Sequence, residues 1–143
     1  MSRAERAKEY FLQGYACSQA VALAFSDVMG VSKEVIAKMM LPFGGGMGRL
    51  RLTCGAVSGM AAVIGMVFAK DENTPENKKQ TYAITQQLCE KFKEANGSLI
   101  CAELLTGIKN SESGDAPKKR SCAEMVALAA QLVEERLKQE GIL

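Results

Sequence analysis

The stretch LPFGGGMGRLRLTCGAVSGMAAVIGMVF, residues 41–68, decides how the chain is read: a glycine-rich loop runs into a helix of small residues opened by a cysteine. Residues 54–69 are almost all apolar, yet the run is short of the roughly 20 residues a membrane span requires and carries Gly55, Gly59 and Gly65. It reads as a helix buried in a protein core. Each glycine costs helix propensity, a cost offset where another helix or a bound group comes close. Upstream, Gly44, Gly45, Gly46 and Gly48 leave the backbone free to take positive φ and to expose N–H groups to a close neighbour. Cys54 then reads as a first-turn residue, where unpaired amides and the positive end of the helix dipole favour a thiolate over a thiol.

On the N-terminal side, Ser2 and Glu5 form a capping box, and Ala7, Tyr10 and Phe11 fall at helical spacing before Gly14. A second helix is predicted from Ala16 or Cys17, with Cys17, Val21, Ala24, Phe25 and Val28 on one face and Gly30 as its stop. Ser32 caps a third, with Val35, Ile36, Met39 and Met40 inward, and Pro42 bars its continuation.

On the C-terminal side, Thr74 or Asn73 caps a long helix with Pro75 at its first position, an apolar row of Ile84, Leu88, Phe92 and Ala95, and Asn96-Gly97 as its end. Ser98 is predicted to cap a brief helix over residues 99–105. Residues 110–120 read as a loop whose Lys118-Lys119-Arg120 run is a solvated surface. Ser121 and Glu124 then open a last helix that buries Cys122, Met125, Val126, Ala129, Leu132, Val133 and Leu137. Strand-like alternation is confined to residues 47–52, and neither an internal repeat nor a linker divides the chain. The expectation is an all-α, compact single-domain bundle of about six or seven helices over residues 1–143.

A balance of 18 basic and 16 acidic residues gives +2, which provides no argument for nucleic acid or an anionic membrane as partner. The charged N-terminus lacks the apolar segment of a secretory signal, so the cytoplasm is the expected compartment. There, five cysteines point to metal or redox work rather than to structural bridges. The absence of histidine excludes Cys–His nucleophiles, Ser–His–Asp triads and His-containing metal sites. No CxxC signals a zinc ribbon or thioredoxin-type site, and the glycine loop lacks the Gly-Lys-Ser/Thr of a nucleotide cradle.

Placed on the predicted helices, Cys17, Cys54, Cys101 and Cys122 each fall in a first turn, whereas Cys89 sits mid-helix as a small hydrophobe. The element Cys54-Gly55-Ala56-Val57-Ser58-Gly59, with Cys17 upstream in YACSQAV and Cys101 and Cys122 downstream, resembles the C_GCAxxG_C_C family, whose label is redox activity. The resemblance spans essentially the whole chain. This chain reads Cys-Gly-Ala where the family name reads Gly-Cys-Ala, and Cys89 has no place in the pattern.

Three readings follow. In the first, Cys17, Cys54, Cys101 and Cys122 hold an iron–sulfur cluster or other thiolate-bound metal for electron transfer or sensing, with Gly45, Gly46, Gly48 and Gly55 lining the group and loop amides bonding its sulfurs. In the second, the protein is a metal-free dithiol oxidoreductase, Cys54 the low-pKa attacking thiolate and Met47, Met60 and Met66 an apolar access path. In the third, the cysteines only pack, in a structural or interaction domain. Arg49 and Arg51 flank the approach to Cys54, either as solvated cations or as partners of a thiolate or surface anion. The first two readings require a redox partner that the sequence does not name, and the small-residue helix face permits homo-oligomers.

Overall fold

The computed structural model describes residues 1–107 and 121–143. The predicted loop at 110–120, with its Lys118-Lys119-Arg120 run, lies outside the described residues. The chain forms helices α1 (Arg3–Leu12), α2 (Cys17–Leu23), α3 (Ser26–Met29), α4 (Lys33–Met40), α6 (Gly55–Phe68), α7 (Pro75–Asn96), α8 (Cys101–Thr106) and α9 (Cys122–Gln139), and the short element α5 (Gly44–Met47) is a turn whose Gly45, Gly46 and Met47 take left-handed φ. A 3-10 turn, Leu41–Phe43, joins α4 to α5. The all-α expectation holds. Extended pairing among the described residues is a single isolated bridge between Thr53 and Ile100.

The helix ends follow local chemistry. Ser2, Ser32, Thr74 and Ser121 each accept the N–H of the residue three positions on, as their capping positions predict. Gly30, Gly97 and Gly107 close α3, α7 and α8 in left-handed conformation. Three boundaries differ from the sequence reading, one of them at α6, which begins at Gly55 and leaves Cys54 as its N-cap rather than in its first turn. The predicted second helix breaks into α2 and α3 at Phe25, whose backbone leaves the helical region at φ −121° and ψ 18°. The brief helix starts at Cys101 rather than at 99, because Ser98 turns its hydroxyl to the Ile100 N–H and to the Glu103 carboxylate instead of capping.

One apolar core runs from Ala7 on α1 to Leu137 on α9, with Phe25, Phe92, Met60 and Ile64 among its fully buried members. Helix α6 packs on α2, α7 and α9, and α1 packs along α9. The small residues of α6 permit the α2 contact: a side chain at Gly59 would meet the Ser18 carbonyl at 2.7 Å and Val21 at 3.0 Å. Tight helix packing is therefore what Gly59 serves. Among the described residues no helix is long and apolar enough to cross a membrane.

Candidate functional site

The first turn of α2 is tied down before its cysteine is placed. Gln19 accepts the Ala16 N–H at 2.8 Å and donates to the Ala37 carbonyl at 2.7 Å, while the Ser18 hydroxyl donates to the Met40 carbonyl at 2.6 Å. These bonds fix Cys17 at the first position of α2 against α4. Gly55 follows Cys54 at the start of α6, and a side chain there would overlap Cys17 Sγ. Cys54 is itself the N-cap of α6, and its N–H donates to the Leu99 carbonyl at 2.8 Å.

Cys101 opens α8. Its N–H donates to the Leu52 carbonyl at 2.6 Å, and that of Ala102 to the Arg51 carbonyl at 3.2 Å, so the segment after the glycine loop caps this helix through its backbone. Gly46 is buried beneath, where a side chain would strike Cys101 Cβ and Leu52 N, each at 2.7 Å. The Arg51 guanidinium reaches Cys101 Sγ at 3.7 Å.

Cys17, Cys54 and Cys101 are buried, and Cys122, the first residue of α9, is partly so. Charge on Cys17 or Cys101 is felt at Cys54, and charge on the same two is felt at Cys122. The four predicted cysteines thus share one neighbourhood where α2, α6, α8 and α9 begin. Cys89 lies outside it: only burial acts on its thiol. All five are free thiols.

The electrostatics correct the expected acidic Cys54. Burial, foremost, pushes its thiol up to about 12 from an ordinary 9.0, and the charges of Cys17 and Cys101 add to this. The Ala56 and Val57 amides pull the other way, as helix-start amides should, but neither makes a capping hydrogen bond to the sulfur. Desolvation outweighs the helix start at a site only 3% exposed. Burial, then Cys17 and Cys101, likewise raise Cys122, while Arg51 opposes them.

The glycines divide. Gly46 and Gly55 are cut away for Cys101 and Cys17, while Gly45 makes room for the Arg49 side chain. The Gly48 N–H is taken by the Pro42 carbonyl at 2.8 Å, and its Cβ position is nearly open. The amides that act on Cys54 are those of α6 rather than of the glycine loop. Nor do the three methionines make one path. Met66 lines an apolar cavity of about 270 Å³ with Met29, Met39 and Met40, whereas Met60 is fully buried and Met47 stands outside that cavity.

A family described as "Putative redox-active protein (C_GCAxxG_C_C)" matches residues 15–136, a span that holds all four clustered cysteines. The chain belongs to this family. A relative of this C_GCAxxG_C_C protein in Archaeoglobus fulgidus, named only "Uncharacterized protein", is 26% identical over 152 residues, covering 98% of this chain and 99% of the relative. No solved structure matches.

As a donor set, four cysteine sulfurs suit soft metals and iron–sulfur clusters, so the chemistry of the residues fits such a group. Among the described residues no three Cys, Asp or Glu side chains are arranged, as they stand, to hold a metal ion. Loading would therefore require the sulfurs to turn toward a common centre.

Proposed function

We propose that Cys17, Cys54, Cys101 and Cys122 form one redox site that holds an iron–sulfur cluster or another soft metal for electron transfer or sensing, in the cytoplasm and with a separate redox partner. The observation that carries this reading is that Cys54 and Cys122 each lie within electrostatic reach of both Cys17 and Cys101, where four helices begin, and that Gly55 is bare against Cys17 Sγ. Cys54 is too deeply buried to persist as a bare thiolate, but a coordinating metal removes a thiol proton outright and supplies the balancing charge. In that state the Ala56 and Val57 amides face the Cys54 thiolate, and bare backbone at Gly46 and Gly55 lets Cys101 and Cys17 approach.

One observation favours a second reading, a reversible disulfide formed when two of these thiols lose two electrons and two protons to a partner. Arg51 stands beside Cys101, so the nucleophile of that chemistry would be Cys101 and not the expected Cys54. Metal analysis and visible spectra of anaerobically purified protein, with each cysteine changed to serine, decide between them. Stoichiometric metal lost in the Cys17, Cys54, Cys101 and Cys122 variants, but kept in Cys89→Ser, supports the metal centre. Metal-free, colourless protein that reversibly loses two thiols overturns it in favour of the disulfide; if no cysteine change alters metal content or thiol chemistry, both fail.

A further inference from the structure

The segment between the glycine loop and Cys54 is built on an unusual backbone. Gly45, Gly46, Met47, Gly48 and Arg49 have φ between +56° and +71°, and Arg51 follows at +62°. L-residues avoid this region because Cβ crowds the next carbonyl, so Met47, Arg49 and Arg51 are held there by what surrounds them. For Arg51 the restraints are explicit. Its N–H donates to the Gly45 carbonyl at 3.2 Å, and its carbonyl accepts from Ala102, next to Cys101.

Gly46 completes the arrangement. A side chain there would lie 2.8 Å from the Arg51 Cα as well as striking Cys101 Cβ, so the missing side chain is what lets the Arg51 backbone close on Cys101. The two arginines consequently differ. The Arg49 side chain folds over Gly45, while Arg51 Nη1 goes to Cys101 Sγ. Cys122 also lies within the reach of the Arg51 charge.

We propose that Arg51 sets the redox equilibrium of the cysteine site, its guanidinium held on Cys101 Sγ by the left-handed backbone and by the absence of a side chain at Gly46. The inference rests on the redox reading of these cysteines but not on the choice between metal and disulfide. Reduction of a metal centre adds electrons and negative charge at the sulfurs, and reduction of a disulfide adds negative charge wherever a sulfur is released as thiolate rather than as thiol. A fixed cation stabilises that reduced state and raises the midpoint potential. Arg51 acts here as a charge-balancing residue.

The test is redox titration of purified full-length protein, followed by colour if it holds metal or by thiol count if it does not. Arg51→Gln should make the redox equilibrium about tenfold less favourable to the reduced form, a fall of about 59 mV for one electron or about 30 mV for two. Arg51→Lys keeps the charge and should recover most of the shift, and Arg49→Gln should leave the potential in place. An unchanged potential in Arg51→Gln, or an equal shift in Arg49→Gln, overturns the role of Arg51 while leaving the redox site standing. Wild-type protein with no reversible transition overturns the redox reading and this inference together.

Discussion

Cys17 Sγ rests against the bare backbone of Gly55, so that the residue after one cysteine is cut away for the sulfur of another. A side chain at 55 would also press on the Phe43 carbonyl at 3.0 Å and the Ser18 N–H at 3.3 Å. Gly55→Ala should therefore destabilise the protein by about 1–3 kcal/mol, the usual cost of overfilling a packed interior. A urea titration of the variant, with and without Cys17→Ala, checks the cause. If the sulfur is the main obstacle, the double variant recovers part of the loss, giving a coupling of about 0.5–3 kcal/mol.

Two further glycines of α6 should respond to the same change with opposite sign. Gly59 faces α2 at a distance that admits no methyl group, whereas Gly65 is helical and has nothing within 4 Å of its Cβ position. Gly59→Ala is expected to lower stability by about 1–3 kcal/mol. Gly65→Ala should raise it by about 0.5–1 kcal/mol through helix propensity and a less flexible unfolded chain. Thermal or urea midpoints that move in the same direction would contradict this packing.

A third prediction concerns acid. Arg3 grips Asp27 with both guanidinium nitrogens, at 2.6 and 2.8 Å, donates to the Ala24 carbonyl at 2.8 Å and lies over Phe25 at 5.3 Å, pinning α1 to α3. The hydrogen bond from Arg3, foremost, lowers the Asp27 carboxyl from 3.8 to about 2. Its contribution is thus complete above pH 4 and lost as pH falls through about 2. Asp27 is 57% exposed, so screening limits the contribution to about 1 kcal/mol, and less in high salt. Urea midpoints of wild type and Asp27→Asn should differ at neutral pH and converge at about pH 2; a constant difference would mean that the carboxylate charge is not what holds α1.

Helix ends were legible in the sequence because they are local. Ser2, Ser32, Thr74 and Ser121 each need only a hydroxyl and an N–H three residues on, and Gly30, Gly97 and Gly107 need only freedom from Cβ. Ser98 misled because its oxygen accepts the N–H of Ile100, two residues on and before the helix begins, while its hydroxyl donates to Glu103, which tertiary packing buries. The places of Cys17, Cys54, Cys101 and Cys122 at helix starts were legible for the same local reason. Their ionisation was not, since the burial of Cys54 depends on α6 lying within the bundle, a nonlocal property that outweighs the local dipole. Nor could sequence distinguish Arg51 from Arg49: both are exposed, both take positive φ and both flank the same cysteine, and only the clearance at Gly46 and the backbone hydrogen bonds of Arg51 to Gly45 and Ala102 direct one of them to sulfur.

The Cys54 thiol yields the last prediction, made for metal-free reduced protein. Unfolded, it releases its proton near 9.0; folded, it holds the proton to about 12, so between these values the unfolded state binds fewer protons and stability falls as pH rises. The contribution is fully present below pH 9 and amounts to at most about 4 kcal/mol. Urea midpoints should decline across this window, and Cys54→Ala should flatten the decline. Iodoacetamide labelling mapped by peptide mass gives a second measure. At pH 8 the half-buried Cys89 should label before Cys54, whose sulfur is both protonated and shielded. Labelling of Cys54 first would mean that the helix-start amides prevail over burial, and would restore Cys54 as the attacking thiolate of a dithiol mechanism.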